Sequence, residues 1–271
     1  MPQQIKTFTN GLKLLIDGSD SGDQRHILSL DNIAGDYIPF PGFDIKSDDT
    51  VIDIGAHIGR FCIYAAFKAK TGRVYAFEPD ARNYARLSEN IKLNGFNNIR
   101  AYEKVVNGTG KPQLLYLSTD SSENSLYAEP QSLPAKEIDG ITLPQIFSGN
   151  DIKRCNFLKL DCEGAEYDIL FSLPAEYFSK IDKIALEYHD NLYRGKSLKD
   201  LIFLLSKNNF IIHRVKRGAW YLGLLYASRS ASRASQPWVF LRNYGRAYGI
   251  DLFFFVAALA AKKIKLRLIK K

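Results

Sequence analysis

The sequence predicts an α/β fold built on a mostly parallel, seven-stranded sheet that closes in an antiparallel hairpin. From residue 44 onward, strand-like apolar runs alternate with helix-like stretches, a glycine turn joins the first strand of this pattern to the first helix, and two β-rich runs end it. With 271 residues, 46% of them hydrophobic, the chain suits one large domain with extensions.

The predicted elements follow from local composition. Residues 1–45 carry short apolar runs broken by Gly, Asp and Pro, which predicts a β-rich or irregular N-terminal cap, and the main domain is predicted over 46–228. Pro79 precedes the second helix and Gly95 ends it. In order, the pattern predicts strand 51–54, helix 58–70, strand 74–78, helix 81–95, strand 99–106, a short helix near 142–147, strand 156–161, a helix from Ala165 to about Ser172, strand 183–189, helix 198–208, and hairpin strands 210–215 and 220–228.

A polar, Ser-rich segment covers residues 118–136, after an apolar run at 114–118 that extends a strand. Long loops inside compact domains are uncommon and often functional. This segment is therefore a candidate substrate lid or recognition loop, with a plain surface insertion as the alternative.

The three cysteines, Cys62, Cys155 and Cys162, have neither CxxC spacing nor a companion histidine cluster. They indicate no disulfide framework and no structural zinc site, which fits a reducing cytoplasm. The N-terminus has no continuous apolar core of a signal sequence, so no secretory signal is expected and a cytoplasmic location is predicted.

The net charge of +8 is unevenly distributed. Residues 207–271 contain 14 Lys or Arg against one acid, Asp251, whereas the first 206 residues carry a net charge of −5. An acidic body argues against nucleic-acid binding. The basic C-terminal part indicates an anionic surface or partner.

Residues 229–271 form a predicted basic, amphipathic tail. Its ten-residue apolar run, 252–261, is followed by a lysine-rich end and is too short to span a bilayer, which needs about 20 helical residues. Two interpretations stay open: peripheral binding to an anionic membrane surface, and a helix packed on the domain or on another subunit. The sequence does not predict an oligomeric state.

A nucleotide-binding βαβ unit lies between Val51 and Glu78. An apolar strand ends near Asp53, and Gly55 and Gly59 follow in a turn that leads into a helix. Glycine lets such a turn bend tightly and approach a ligand. Glu78, at the end of the second strand, is placed to accept hydrogen bonds from ribose hydroxyls.

The turn also indicates which nucleotide binds. It lacks the G-x-G-x-x-G pattern that seats a pyrophosphate, and the acidic Asp53 would repel a phosphate. A carboxylate attracts a cationic sulfonium or an amino group, which predicts S-adenosylmethionine. The alternatives are an NAD-dependent dehydrogenase and an ordinary strand-to-helix turn without a ligand.

Further acids lie at the ends of later strands. Asp161 ends a buried strand and Glu163 lies in the turn after it, so both face the crevice outside the carboxyl ends of the sheet. Glu166 is interpreted as a helix N-terminal acid that the helix dipole stabilises. Glu187 and His189 alternate onto one face at the end of the last parallel strand.

These residues predict acid–base chemistry at a hydroxyl acceptor. His189 is the predicted general base, oriented by Glu187 or Asp161, with Glu163 holding substrate hydroxyls. No metal is expected, although Asp161, Glu163 and His189 as ligands for a divalent cation stay an alternative to a simple hydrogen-bonding cluster.

Four segments in this order resemble the FkbM family of S-adenosylmethionine-dependent methyltransferases: VIDIGAHIGRF, FEPDARNYARLSENIKLNG, FLKLDCEGAEYDIL and LEYH. The resemblance spans roughly residues 44–215 and implies a class I methyltransferase, Rossmann-like fold. One departure is His57, where the family usually has Asn.

The resemblance also implies O-methylation of a hydroxyl on a sugar, glycan, glycolipid or secondary metabolite. A non-catalytic nucleotide-binding module of the same fold is the alternative. The family's cofactor site corresponds here to Asp53, Gly55, Ala56, His57, Gly59 and Glu78, with Val106 and Asn107 near the adenine. The absence of an Asn/Asp-Pro-Pro-Tyr/Phe motif argues against methylation of a base nitrogen.

Overall fold

The computed structural model describes residues 3–18, 37–118, 125, 133–190, 195–217, 222–229, 243 and 245. Its elements, in chain order, are β1 Gln3–Thr7, β2 Lys13–Asp17, β3 Thr50–Ile54, α1 Arg60–Lys68, β4 Arg73–Phe77, α2 Ala81–Asn94, β5 Ile99–Tyr102, β6 Val105–Val106, β7 Gln113–Leu117, β8 Leu133–Ile138, β9 Gly140–Ile141, α3 Leu143–Gly149, β10 Cys155–Leu160, α4 Ala165–Ser172, α5 Ala175–Phe178, β11 Ile181–His189, α6 Leu198–Lys207, β12 Phe210–Arg217 and β13 Leu222–Arg229.

The main sheet has seven strands in the order β12-β13-β11-β10-β3-β4-β5. Strands β11, β10, β3, β4 and β5 pair in parallel, whereas β13 runs antiparallel between β11 and β12. This arrangement confirms the predicted fold and its closing hairpin. The strand order reverses between β3 and β10, so a crevice opens outside their carboxyl ends.

Apolar side chains cover both faces of the sheet. Ile52, Ile54 and Leu158 belong to one buried cluster, and Val51 and Phe157 belong to another. Successive residues of a strand point to opposite faces, so a strand buried on both faces reads as a continuous apolar run. This burial fixes the strand register and therefore the position of every polar residue at a strand end.

The N-terminal hairpin of β1 and β2 packs on α2 through amide side chains. Asn90 accepts the N–H of Leu15 at 2.5 Å and donates to its carbonyl at 3.1 Å, and Asn94 makes the same pair of bonds with Lys13. Asn90 also donates to the carbonyl of Ile58 at 2.9 Å, just before α1. The hairpin is thus tied to the turn that precedes α1.

Two segments depart from the predicted elements. The predicted strand 99–106 ends at Tyr102, and Val105–Val106 pairs instead with Gly140–Ile141 in a separate small sheet. The predicted loop 118–136 gives way at Leu133 to β8, which pairs antiparallel with β7. Both departures depend on pairing between distant segments, which local composition does not encode. Residues 119–124 and 126–132 lie outside the described residues.

Asn243, from the predicted tail, is buried against α6 and β12. Its side chain accepts the N–H of Ile212 at 3.0 Å and donates to Ser206 Oγ and to the carbonyl of Phe210, both at 2.8 Å. The apolar run 252–261 and the lysine-rich end lie outside the described residues. Among the helices that the structure describes, none is long and apolar enough to cross a bilayer.

Replacing Asn243 by Ala is expected to destabilise the fold by about 2 kcal/mol or more. The change leaves buried partners in α6 and β12 without their hydrogen bonds, at about 1–3 kcal/mol for each group left unsatisfied. Urea unfolding measures the loss. Asn97→Ala, on an exposed turn, is the control, and equal stability of the two variants would contradict the anchoring role of Asn243.

Candidate active site

The predicted site residues lie along the carboxyl ends of β3, β4, β10 and β11. Asp53 is in β3 next to its end, and Glu78 follows β4 directly. Asp161 follows β10, and its N–H donates to the carbonyl of Ile54 at 3.1 Å, which holds the ends of β3 and β10 side by side. His189 is the last residue of β11.

Gly55 occupies a place that no other residue can take. Its φ is 76°, and a Cβ atom there would lie 1.7 Å from the carbonyl oxygen of Asp161. Gly59, with φ 94°, caps α1, and a Cβ atom there would lie 2.6 Å from Leu87 Cδ1. The sequence pattern attributes these glycines to close approach of a ligand. The chain's own packing already requires them.

Glu78 holds the glycine turn from the neighbouring strand. Its Oε2 accepts the backbone N–H of His57 at 2.8 Å, and its Oε1 accepts the N–H of Asp80 at 3.0 Å. The N–H groups of Gly55 and Ala56 both donate to the carbonyl of Phe77 at 3.0 Å. Burial raises the pKa of Glu78 to about 7.

His57 has a positive φ of 50°, in the left-handed region. Among non-glycine residues, Asn, Asp and His are several-fold enriched there. The exchange of the usual Asn for His therefore keeps the backbone conformation that aims this N–H at Glu78.

A buried lysine joins the cofactor turn to the acceptor side. Lys159 lies opposite Asp53 in the pairing of β10 with β3, and its Nζ is 3.0 Å from Asp53 Oδ1. It donates to the carbonyl of Gly55 at 2.6 Å and lies 3.7 Å from Asp161 Oδ2. Burial lowers the pKa of Lys159, but the two carboxylates outweigh this effect and raise it, so the ammonium stays charged.

Lys159 and Tyr37 are not among the predicted site residues. The sequence contains one indication of Lys159: it is a lysine inside an otherwise apolar strand, and a buried ammonium needs a counterion. Tyr37 gave no such signal, since it lies in the N-terminal segment. Its hydroxyl donates to Asp161 Oδ2 at 2.5 Å, and its ring centroid lies 5.1 Å from Lys159 Nζ.

The structure brings together Asp161, Glu163, Glu187 and His189, which we call the acceptor cluster. His189 is buried, and its Nε2 lies 3.3 Å from Glu163 Oε2. Glu163 has a positive φ of 48°, a strained conformation of the kind found at functional sites. Each of Asp161, Glu163 and His189 has a ligand atom within 4.8 Å of the others.

The partner that orients His189 differs from the two predicted. Glu166 Oε1, rather than Glu187 or Asp161, lies 3.2 Å from His189 Nδ1. Glu166 is fully buried, and the same oxygen accepts the N–H of Cys162 at 3.0 Å. Glu166 is thus the predicted N-terminal helix acid, and it also fixes the imidazole, a role that depends on the packing of α4 against β11.

Protonation of the cluster bears on the predicted base. Burial lowers the pKa of His189, but Glu166, Glu163 and Asp161 outweigh it and raise the pKa to about 10. Burial raises the pKa of Glu163 to about 8 and that of Glu187 to about 7. At neutral pH His189 is therefore an imidazolium, and it accepts a proton only after its own has been displaced.

The loop predicted as a lid reaches this cluster at one described point. Ser125 bridges to Tyr116, and its Oγ donates to the carbonyl of Glu163 at 2.8 Å. The function of the loop stays a prediction.

Val106 and Asn107 are buried beside β9. Asn107 Nδ2 donates to the carbonyl of Lys111 and to Gln113 Oε1, both at 2.9 Å, and its Oδ1 accepts the N–H of Gly110 at 2.6 Å. These bonds use both amide hydrogens to shape the chain's own turn. The position of Val106 and Asn107 near adenine stays a prediction, and the Asn107 amide hydrogens are already used within the turn.

The chemistry of these side chains fits S-adenosylmethionine. Glu78 presents a carboxylate beside the turn, as a ribose diol requires. Lys159 offsets only one of the two carboxylates nearest to it, Asp53 and Asp161, so the balance is negative and favours a cation.

Comparison with known proteins decides the class of enzyme. The family model described as the methyltransferase FkbM domain matches residues 53–212. The chain belongs to this family. It is therefore a methyltransferase, and its cofactor is S-adenosylmethionine, which displaces the dehydrogenase alternative.

Curated relatives are about one quarter identical to this methyltransferase over the aligned residues. Methyltransferase 1 of Beauveria bassiana is 27% identical over 208 residues, which cover 68% of this chain and 79% of the relative. Hexuronic acid methyltransferase AglP of Haloferax volcanii is 26% identical over 176 residues, which cover 60% of this chain and 64% of the relative.

Solved structures support the fold. A structure described as StiE O-MT residues 961–1257 superposes with a TM-score of 0.51 at 9% identity and covers 83% of each chain. At that identity the likeness concerns the fold alone.

Proposed function

We propose that the methyltransferase transfers a methyl group to a hydroxyl oxygen of a sugar, glycan, glycolipid or secondary metabolite. The observation that carries this proposal is the acceptor cluster itself, in which carboxylates lie beside the cofactor turn. Carboxylates accept hydrogen bonds from hydroxyls and can receive their protons. The name of the relative AglP, a hexuronic acid methyltransferase, supports a sugar-derived acceptor.

The cofactor residues have separate roles in this proposal. S-adenosylmethionine, when bound, supplies an electrophilic methyl group on a sulfonium. Glu78 holds the ribose hydroxyls, and Asp53 with Asp161 keeps the site negative. Gly55, Ala56, His57 and Gly59 form the turn that approaches the cofactor.

The acceptor side must align an oxygen and remove its proton. The oxygen–carbon bond forms as the carbon–sulfur bond breaks, the electron pair of that bond goes to sulfur, and the hydroxyl proton leaves. Glu163 and Glu187 hold the acceptor hydroxyls, Asp161 takes up this proton, and Glu166 keeps His189 in place beside them. Alignment supplies much of the rate, because the chemistry is a direct displacement.

S-adenosylmethionine affinity is expected to fall as the pH drops below about 7. The pKa of Glu78 is raised to about 7, so the carboxylate is ionised above this pH and gains a proton below it. A protonated Glu78 loses acceptor capacity, and the affinity should fall by up to about tenfold per pH unit. Calorimetric titration across this range measures it. Glu78→Gln should bind weakly at every pH, and an unchanged slope in that variant would rule out Glu78 as the titrating group.

The reaction itself is tested with labelled S-adenosylmethionine and a panel of acceptors. The panel contains hexuronic acid glycans, neutral glycans, glycolipids and hydroxylated metabolites, and NMR locates the transferred methyl group. We expect it on a hydroxyl oxygen, as an ether. Location on a carboxylate oxygen, on nitrogen or on carbon would overturn the proposed function, and cofactor binding without transfer to any acceptor would favour a binding module. Glu176→Gln, in the exposed part of α5, is the activity control.

A further inference from the structure

We propose that Asp161, Glu163 and His189 form a ligand triad for a divalent cation at the acceptor side of the cleft. The proposal rests on the proposed function only in placing the acceptor beside these residues.

The spacing of the ligand atoms suits a single ion. His189 Nε2 and Glu163 Oε2 are 3.3 Å apart, longer than the about 2.7–2.9 Å of a charge-assisted hydrogen bond. Two ligand atoms at right angles around a cation, each about 2.1 Å from it, lie about 3 Å apart. The third ligand atom, from Asp161, also lies within 4.8 Å of both. The gap between His189 and Glu163 thus has the width that an ion needs, and Asp161 lies close enough to join them after a small side-chain movement.

The imidazole is anchored as a metal-bound histidine is. Its Nδ1 faces the buried carboxylate of Glu166 at 3.2 Å, and its Nε2 faces the cleft. In metal sites, such a carboxylate on the second ring nitrogen fixes the tautomer and directs the first nitrogen at the ion. The N–H of Cys162 holds Glu166 from behind at 3.0 Å, so the imidazole is oriented before any ligand arrives.

The local charge also favours a cation. Lys159 is matched by Asp53 at 3.0 Å, and Tyr37 and Lys159 both approach Asp161 at its Oδ2. The carboxyl groups of Asp161, Glu163 and Glu166 lie around the one imidazole of His189. Partly buried like charges are costly unless a counterion neutralises them. A divalent ion would offset two of them.

Two carboxylates and one imidazole indicate the kind of ion. Carboxylates suit Mg²⁺ and Mn²⁺, and imidazole suits the transition metals, so the mixed set favours Mn²⁺. A hydroxyl that binds such an ion loses its proton more readily. The cation would therefore take over the task predicted for His189 as a base, with the neutral imidazole as a ligand.

The test is a titration of the chelator-treated 271-residue chain with Mn²⁺, followed by electron paramagnetic resonance. We expect one strong site per chain. Glu166→Gln should weaken it by about 10–100-fold, the range for the outer partner of a metal-bound histidine. Asp161→Asn and Glu163→Gln should each weaken it by at least as much, and Glu176→Gln should leave it unchanged.

Folding and function are read out separately. Circular dichroism and urea unfolding verify that each variant is folded. The site is overturned if wild-type protein and the Asp161→Asn/Glu163→Gln double variant bind Mn²⁺ equally. Full methyl transfer in chelator together with no Mn²⁺ binding would remove the site and keep the proposed function. Strong Mn²⁺ binding without methyl transfer to any acceptor would keep the metal site and remove the proposed function.

Discussion

Gly55→Ala is expected to abolish measurable binding of S-adenosylmethionine and to destabilise the fold. The new Cβ atom would lie 1.7 Å from the carbonyl oxygen of Asp161, and φ is 76°. A left-handed backbone costs a non-glycine residue about 1–2 kcal/mol, and the overlap forces β3 and β10 apart in addition. A displacement of about 1 Å in an active site can lower the reaction rate about 100-fold. We expect the affinity for the cofactor to fall by at least a similar factor. Calorimetry and urea unfolding measure both effects.

Gly149→Ala is the matched control. Gly149 ends α3 and does not require a positive φ, and a Cβ atom there would meet no atom of the described residues within 4 Å. The substitution should leave cofactor affinity unchanged and alter stability little. If Gly55→Ala retained cofactor affinity close to that of Gly149→Ala, the glycine turn would not be the cofactor site.

The sheet could be predicted because its strands are buried on both faces. Val51 to Ile54 and Phe157 to Leu160 are apolar except for one charged residue each, Asp53 and Lys159, next to the end of the strand at the cleft. The small sheets of β6 with β9 and of β7 with β8 could not be predicted in the same way. Strands β6 and β9 have only two residues each, and pairing between distant segments rather than local pattern decides whether these strands form.

The same distinction applies to the site: residues at strand ends could be predicted, whereas contacts between distant elements could not. Asp53, Glu78, Asp161 and His189 could be found because each lies at or near a strand end, which the topology places at the cleft. Their partners could not be found. The contact of His189 with Glu166 depends on how α4 packs against β11, and the positive φ that suits His57 is a property of the folded turn.

Lys159→Met is expected to lower both the stability of the fold and the affinity for the cofactor. Its ammonium contacts Asp53, the carbonyl of Gly55 and Asp161, and it is 3% exposed. Removing one partner of a buried ion pair typically costs about 3–5 kcal/mol, because the other charge stays buried without compensation. Cofactor affinity should fall as well, since Lys159 fixes the carbonyl of the glycine turn. Urea unfolding and calorimetry measure the two effects.

A double-mutant cycle separates charge from shape in this pair. Asp53→Asn combined with Lys159→Met removes both charges, so the double variant should recover part of the stability that Lys159→Met loses. Cofactor affinity should not recover with it, because the bond to Gly55 is still missing. The exposed pair of Lys153 with Asp151 is the control, and Lys153→Met should change stability little. Recovery of affinity together with stability would mean that Lys159 acts on the cofactor site through charge alone and does not position the turn.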